Sequence, residues 1–374
     1  MNQTAKQPRY IMVGGFLGSG KTTALLKLAR RLTDKGARVG LISNDQSSGL
    51  VDTQMMRSHG FNVEEIPGGC FCCKFHSLVE ASERLTEASA PDYFLAEPVG
   101  SCTDLVASVS YPLRRIYGEN YTIAPLSVLV DPYRARRVLG LDNSRNFSSK
   151  VVYVYRKQLE EAEYIVINKC DSIEPAELEE LKAALQNEFQ PREVLSVSAR
   201  DGNGLEDWFG RVESEEGWSR EAMEVDYNIY AEGEALLGWL NATVDLSAAE
   251  EFDGNQYVED LAADIHQRLN GLSVEVAHLK MTLTPNVGLG DIATVNLVRN
   301  DFVPEIAERL QDPLQRGSLV INLRAESQSD ALRQVTEDAL AAHSQANVVS
   351  ATVEHIENFQ PGRPCPTHRM TTPQ

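Results

Sequence analysis

The segment Gly15-Phe16-Leu17-Gly18-Ser19-Gly20-Lys21-Thr22 constrains this chain more than any other. It has the complete G-x-x-x-x-G-K-[ST] form, between an apolar run (Tyr10–Val13) that reads as a buried strand and a Leu-rich stretch (Thr22–Leu32) that reads as a helix. A glycine-rich turn in that setting aims successive backbone N–H groups at phosphate oxygens, and the helix N-terminus adds its positive end. Gly15, Gly18, Ser19, Gly20, Lys21, Thr22 and Thr23 are therefore candidate phosphate-binding residues. Lys21 is expected at the β- and γ-phosphates, and the Thr22 hydroxyl on Mg²⁺.

A phosphate loop does not choose between ATP and GTP. Asn168-Lys169-Cys170-Asp171 follows the strand-like run Tyr164–Ile167 and has the N-K-x-D form. Guanine presents donors at N1 and at its exocyclic amine, so Asp171 can accept from both, whereas adenine would set a lone pair against the carboxylate. Lys169 would lie along the base. Ser198-Ala199 opens a glycine-bearing turn after Val194–Val197 and resembles a loop whose backbone meets the guanine oxygen. GTP is the expected nucleotide.

Two further strand ends carry acids. Tyr93–Ala96 leads into Glu97-Pro98-Val99-Gly100, where Glu97 is placed to hold Mg²⁺ through water and the Gly100 amide to sense the γ-phosphate. Asn44-Asp45 closes Arg38–Ser43 and puts Asp45 within reach of the same metal. Lys21, Thr22 and Glu97 are the expected catalytic residues.

Between those two segments lies Gly69-Cys70-Phe71-Cys72-Cys73. Three thiols within four residues can supply most of a soft-metal site. A closed structural zinc and plain apolar packing compete with that reading. His76 is expected as a solvated histidine. Cys365-Pro366-Thr367-His368 has the form of a C-x-x-H clip, but the Pro- and Thr-rich terminus reads better as an unstructured tail.

Strand-like runs alternate with helical patterns up to about residue 210, the order of a parallel sheet covered on both faces. Past a charged, turn-rich stretch the pattern becomes strand, helix, strands, helix, strand. The expected architecture is an α/β P-loop domain over 1–212, a linker over 213–226, a smaller ferredoxin-like βαββαβ domain over 227–360 and an extended tail over 361–374. The formal net charge is −19. A surface that acidic repels nucleic acid and anionic lipid, so neither is an expected partner. The polar N-terminus and the lack of any membrane-length apolar run point to the cytoplasm, where thiols stay reduced.

Gly14–Thr23, Asn44-Asp45, Gly69–Cys73, Glu97–Gly100 and Asn168–Asp171 together resemble the CobW-like family of P-loop GTPases, related to HypB and UreG. The resemblance implies a GTPase with a second α+β domain, acting as a metallochaperone or metal-insertase for zinc, cobalt or a related thiophilic ion. Cys70, Cys72 and Cys73 would be its metal ligands and a client metalloprotein its partner. Asp45 stands where the family often has Glu, Ser48 where it has a second acid, and no His-rich stretch is present. A slow hydrolase completed by a partner or by homodimerisation fits this picture. The rival reading is a GTP-gated chaperone for a cofactor-dependent enzyme, such as a corrinoid enzyme, without metal transfer of its own.

Overall fold

A computed structural model describes residues 7–44, 51–118, 120–218, 221–286, 291–347 and 349–372. The chain divides into two compact units. The first contains β1 (Arg9–Gly15), β2 (Val39–Asn44), β3 (Asn62–Ile66), β4 (Tyr93–Glu97), β5 (Thr122–Ile123), β6 (Ser127–Val130), β7 (Tyr164–Ile167) and β8 (Glu193–Ser196). They form one sheet in the order β3-β2-β4-β1-β6-β7-β8, with β5 beside β1 and every pairing parallel.

Continuous apolar strands explain the centre of this sheet. Tyr10, Ile11, Met12 and Val13 of β1, and Ile165, Val166 and Ile167 of β7, are all buried, as expected when helices cover a parallel sheet. The helix Lys21–Asp34 packs on β1, β2 and β4 through Leu25, Leu28, Ala29 and Leu32, and Phe75–Ser89 packs on β2 and β3. The edge strand β3 was not expected. Its sequence Asn-Val-Glu-Glu-Ile is polar because only Ile66 is fully buried there, so it lacks the apolar run that marks the inner strands.

The expected linker is part of this unit. Glu213 pairs with Arg31 and Lys35, Glu215 with Arg192, and the Gly217 amide donates to Ile123 O at 3.1 Å. Charge that reads as a solvated linker is thus spent on ion pairs with the helices and strand ends beneath it. The terminus also returns: residues from Pro364 onward belong to the first unit. Thr367 N donates to Cys72 O at 2.8 Å, Met370 N to Ala107 O at 2.8 Å, and Ala222 N to Thr371 O at 2.8 Å. The segment is extended as expected, yet backbone hydrogen bonds and the Arg369–Asp104 ion pair at 2.7 Å dock it.

The second unit is built on an antiparallel sheet of β9 (Leu237–Phe252), β10 (Glu275–Pro285), β11 (Ala293–Leu297), β12 (Glu305–Glu308), β13 (Leu314–Glu326) and β14 (Ser350–Phe359). The order is β12-β11-β10-β13-β9-β14. With the helices Gly254–Gly271 and Ser329–Asn347, the four strands β14-β9-β13-β10 reproduce the expected ferredoxin-like plan, and β11 and β12 extend its edge. Tyr257, Leu261, Ile265 and Leu269 of the first of these helices lie in its core. The helix Val51–Ser58, which lies within the expected 1–212 domain in sequence, belongs to this unit, where the Val51 amide donates to Asn322 Oδ1 at 3.1 Å. The Gly288–Gly290 turn lies outside the described residues. No helix among them is long and apolar enough to cross a membrane.

Candidate nucleotide and metal site

The chemistry-bearing residues of the first unit collect at the carboxyl ends of its strands, where open parallel sheets place ligand sites. The loop Phe16–Gly20 follows β1, Asn44 ends β2, Glu97 ends β4, Asp131 follows β6, Asn168 follows β7 and Ser198 comes just after β8.

The loop turns into the helix Lys21–Asp34 through Gly20, whose φ of 92° is left-handed. A Cβ there would also stand 2.3 Å from Asn168 Nδ2, so both conformation and space demand glycine. Lys21 and Thr22 are buried on the first turn, while Thr23 is exposed. Lys21 Nζ donates to Gly15 O at 3.0 Å and lies 3.9 Å from Glu97 Oε1. Thr22 Oγ1 donates to the same Glu97 oxygen at 3.0 Å. A hydroxyl and a carboxylate in direct contact, beside a buried ammonium, form a hard-oxygen set of the kind Mg²⁺ takes. Ser19 Oγ is buried without a hydrogen-bond partner among the described residues, consistent with a loop shaped around a polar ligand. Asp45 lies outside the described residues.

The base-reading segments are joined to that loop. Asn168 Nδ2 donates to Ser19 O at 2.8 Å, and its Oδ1 accepts the Ala199 amide at 2.9 Å. Lys169, at a left-handed φ of 58°, donates to Gly18 O at 2.8 Å and pairs with Asp131 Oδ2 at 2.9 Å. The Ser198 hydroxyl accepts the Asp201 amide at 3.1 Å, closing the turn. Asp171 is exposed beyond them. Asp131 was missed at the sequence level. One of its oxygens caps a helix by accepting the Arg134 amide at 3.1 Å, and the other orients Lys169.

The cysteine loop lies next to this framework. Ser43 of β2 is in register with Glu97 of β4, and the next residue, Asn44, reaches the Gly69 carbonyl just before Cys70. The sulfurs of Cys70 and Cys72 are 2.8 Å apart, those of Cys70 and Cys73 3.1 Å, and those of Cys72 and Cys73 3.6 Å. Such convergence fits a thiophilic ion far better than scattered packing. Hydrogen bonds from the thiols of Cys102, Cys72 and Cys73 hold Cys70 well below the ordinary thiol range. The same contact with Cys70 pushes Cys72 well up and Cys73 up to about 11. His76 is exposed as expected, with its ring 5.7 Å from that of His368. Cys365 brings its amide to Cys73 Sγ at 3.2 Å, while its own side chain is exposed.

Residues 9–195 match the family model described as CobW/HypB/UreG, nucleotide-binding domain. The zinc chaperone YeiR of Escherichia coli (strain K12) is 29% identical over 182 residues, covering 48% of this chain and 50% of that protein. The zinc chaperone CobW of Sinorhizobium sp is 25% identical over 213 residues, covering 51% and 58%. The zinc-regulated GTPase metalloprotein activator 1 of Saccharomyces cerevisiae is 26% identical over 209 residues, covering 50% and 46%. The chain thus spans about half the length of the curated relatives it matches.

Proposed function

This chain belongs to the CobW/HypB/UreG family, and from that premise we propose that it is a GTP-binding and GTP-hydrolysing metallochaperone or metal-insertase. Its nucleotide state would govern a thiolate site at Cys70, Cys72 and Cys73, with zinc as the first candidate cargo and a metalloprotein as client. The names of its relatives, zinc chaperone and zinc-regulated GTPase, support that reading.

The observation that carries it is the short route between the two centres. Thr22 and Lys21 meet Glu97, β4 runs beside β2 at Glu97 and Ser43, and Asn44 holds the carbonyl that leads into Cys70. Residues that sense the γ-phosphate are thereby connected through rigid sheet to the thiols.

Within this reading Lys21 exchanges its contact with Gly15 O for the β- and γ-phosphate oxygens, where its charge offsets that developing in phosphoryl transfer. Thr22 and Glu97, with Asp45, would hold Mg²⁺, which supplies further positive charge to those oxygens. Asp171 accepts from guanine N1 and the exocyclic amine, and Lys169, braced by Asp131, flanks the base. The Ser198-Ala199 turn is presented to the guanine oxygen by its bond to Asn168. Gly15, Gly18, Ser19, Gly20 and Thr23 complete the phosphate cradle.

Competitive zinc titration of the GTP- and GDP-bound protein tests the coupling. Affinities should differ by about 5–150-fold, and zinc should change the GTP/GDP affinity ratio by the same factor. Replacing Cys70, Cys72 and Cys73 together by serine should abolish the effect. Equal zinc affinity in both nucleotide states, or unchanged zinc binding by the triple variant, overturns the reading.

A further inference from the structure

The three-cysteine motif leaves a tetrahedral soft metal one ligand short, and the structure sets a fourth thiol against one of the three. Cys102 is 29 residues beyond Cys73 in sequence, yet its thiol hydrogen-bonds the Cys70 sulfur. It is buried, 1% exposed. The segment that carries it is well held. The Cys102 amide donates to Val99 O at 2.9 Å, and Gln158 Nε2 donates to both Gly100 O at 2.9 Å and Cys102 O at 2.8 Å. Thr103, the next residue, is fixed by Tyr230 Oη on its amide at 3.1 Å and by Glu161 on its hydroxyl at 3.1 Å.

We propose that Cys102 is the fourth ligand of the metal site, making it a closed Cys70/Cys72/Cys73/Cys102 tetrathiolate. This rests on the metallochaperone reading above and specifies its coordination. Four sulfurs about 2.3 Å from a zinc ion stand about 3.8 Å from one another, so Cys70, Cys72 and Cys73, now 2.8–3.6 Å apart, need only spread by up to about an ångström, while Cys102, in contact with Cys70, closes on the other two.

The rival donors are less well placed. Cys365 offers the cluster its backbone N–H rather than its sulfur, an arrangement that stabilises thiolate charge on Cys73 without ligating. His76 is exposed, and the His368 ring stands edge-on to Phe75 at a centroid separation of 5.0 Å.

The consequence is mechanical. Cys102 lies two residues after Gly100, and Gly100 sits so close to the phosphate loop that a Cβ on it would fall 2.7 Å from Leu17 Cδ2 and 3.0 Å from the Leu17 amide. Three ligands therefore come from the loop tied to β2, and the fourth from the segment tied to the phosphate loop. Moving the second segment relative to the first removes one thiolate and opens the site, which is what handing over a tightly held ion requires.

X-ray absorption at the zinc edge of the full-length wild type, loaded with one equivalent of zinc, needs no variant. Four sulfur neighbours at about 2.3 Å are expected. Three sulfurs plus a nitrogen or oxygen overturn the proposal. With Co²⁺ as probe, Cys102→Ser should lower the sulfur-to-cobalt charge-transfer intensity by about a quarter, following the thiolate count. Its zinc affinity should fall by at least the roughly 10–100-fold that loss of even an outer partner of a metal ligand costs. Cys365→Ser should match the wild type in both. Wild-type cobalt spectra and zinc affinity in Cys102→Ser, with the loss appearing in Cys365→Ser instead, also overturn it. Either failure leaves the metallochaperone reading standing, because that reading falls on other results: equal zinc affinity in the GTP and GDP states, or wild-type zinc binding by the Cys70/Cys72/Cys73 triple serine variant. Should Cys102→Ser lose GTP binding through misfolding, the wild-type absorption spectrum alone decides.

Discussion

Asn44 Nδ2 donates to Gly69 O at 2.6 Å and to Ile66 O at 2.8 Å. One buried amide thereby pins the end of β3 and the turn into the cysteine loop to the strand that runs beside Glu97. It ties the cysteine loop to the strand beside Glu97.

Asn44→Ala should leave two carbonyls without that donor and lower stability by roughly 1–3 kcal/mol in urea unfolding. The ratio of zinc affinities in GTP and GDP should also move toward one. If stability drops while the ratio stays at its wild-type value, the amide is structural only and the coupling runs elsewhere.

Asp171→Asn should weaken GTP and strengthen xanthosine triphosphate, because the amide can donate to the extra carbonyl of xanthine. Loss of a charged hydrogen bond of about 1.5–3 kcal/mol corresponds to a roughly 10- to 150-fold weaker GTP complex. Asp171 is exposed, so the melting temperature should not change. Calorimetric titration with both nucleotides reads the exchange, and equal wild-type affinity for ATP and GTP would refute the base assignment.

Lys21→Ala should slow GTP hydrolysis by about 10²–10³-fold or more, the scale on which a single preorganised charge acts in a transition state. Single-turnover phosphate release measures it. Hydrolysis at the wild-type rate would place the active phosphate loop elsewhere.

Stability should carry a pH signature from Glu161. Burial pushes this carboxyl from an ordinary 4.5 up to about 8, with the Asp104 charge adding and the Val106 amide and Thr103 hydroxyl opposing. Between those values the folded protein holds a proton that the unfolded chain has lost. The stabilising effect of that proton is full below about pH 4.5 and is lost as pH rises toward 8. Glu161→Gln should flatten this part of the profile, since a neutral amide can accept from Val106 N and donate to the Thr103 hydroxyl. Melting temperatures of the two proteins from pH 5 to 8 should converge at the acidic end and separate at the basic end, with the variant higher. Parallel curves would show that Glu161 titrates normally.

Features whose physics is contained in a few consecutive residues were legible in the chain alone. The apolar run Tyr10–Val13, the glycines of the loop and the Leu-spaced helix after it specify strand, turn and helix locally, so the parallel α/β unit could be read directly. The same holds for the helix Gly254–Gly271, marked by Tyr257, Leu261, Ile265 and Leu269 on one face. Edge strands β3 and β12 were not legible, because a strand that is mostly only half-buried has little need of an apolar pattern.

Relations between distant residues were decided by tertiary structure. The spacing of Cys70, Cys72 and Cys73 shows that three thiols are near one another, but only the folding of the segment after β4 brings Cys102 to Cys70. Asp131 belongs to no motif, and only the pairing of β6 with β7 sets it against Lys169. The Pro-rich terminus reads as solvated chain until its backbone bonds to Cys72 and Ala107 and its Arg369 finds Asp104. Sequence determines local conformation through steric and hydrophobic periods that act over a few residues. Which side chains then meet across 29 residues, or across nearly 300, depends on how the strands are ordered in the sheet and on which buried groups must find partners there, and no local period carries that information.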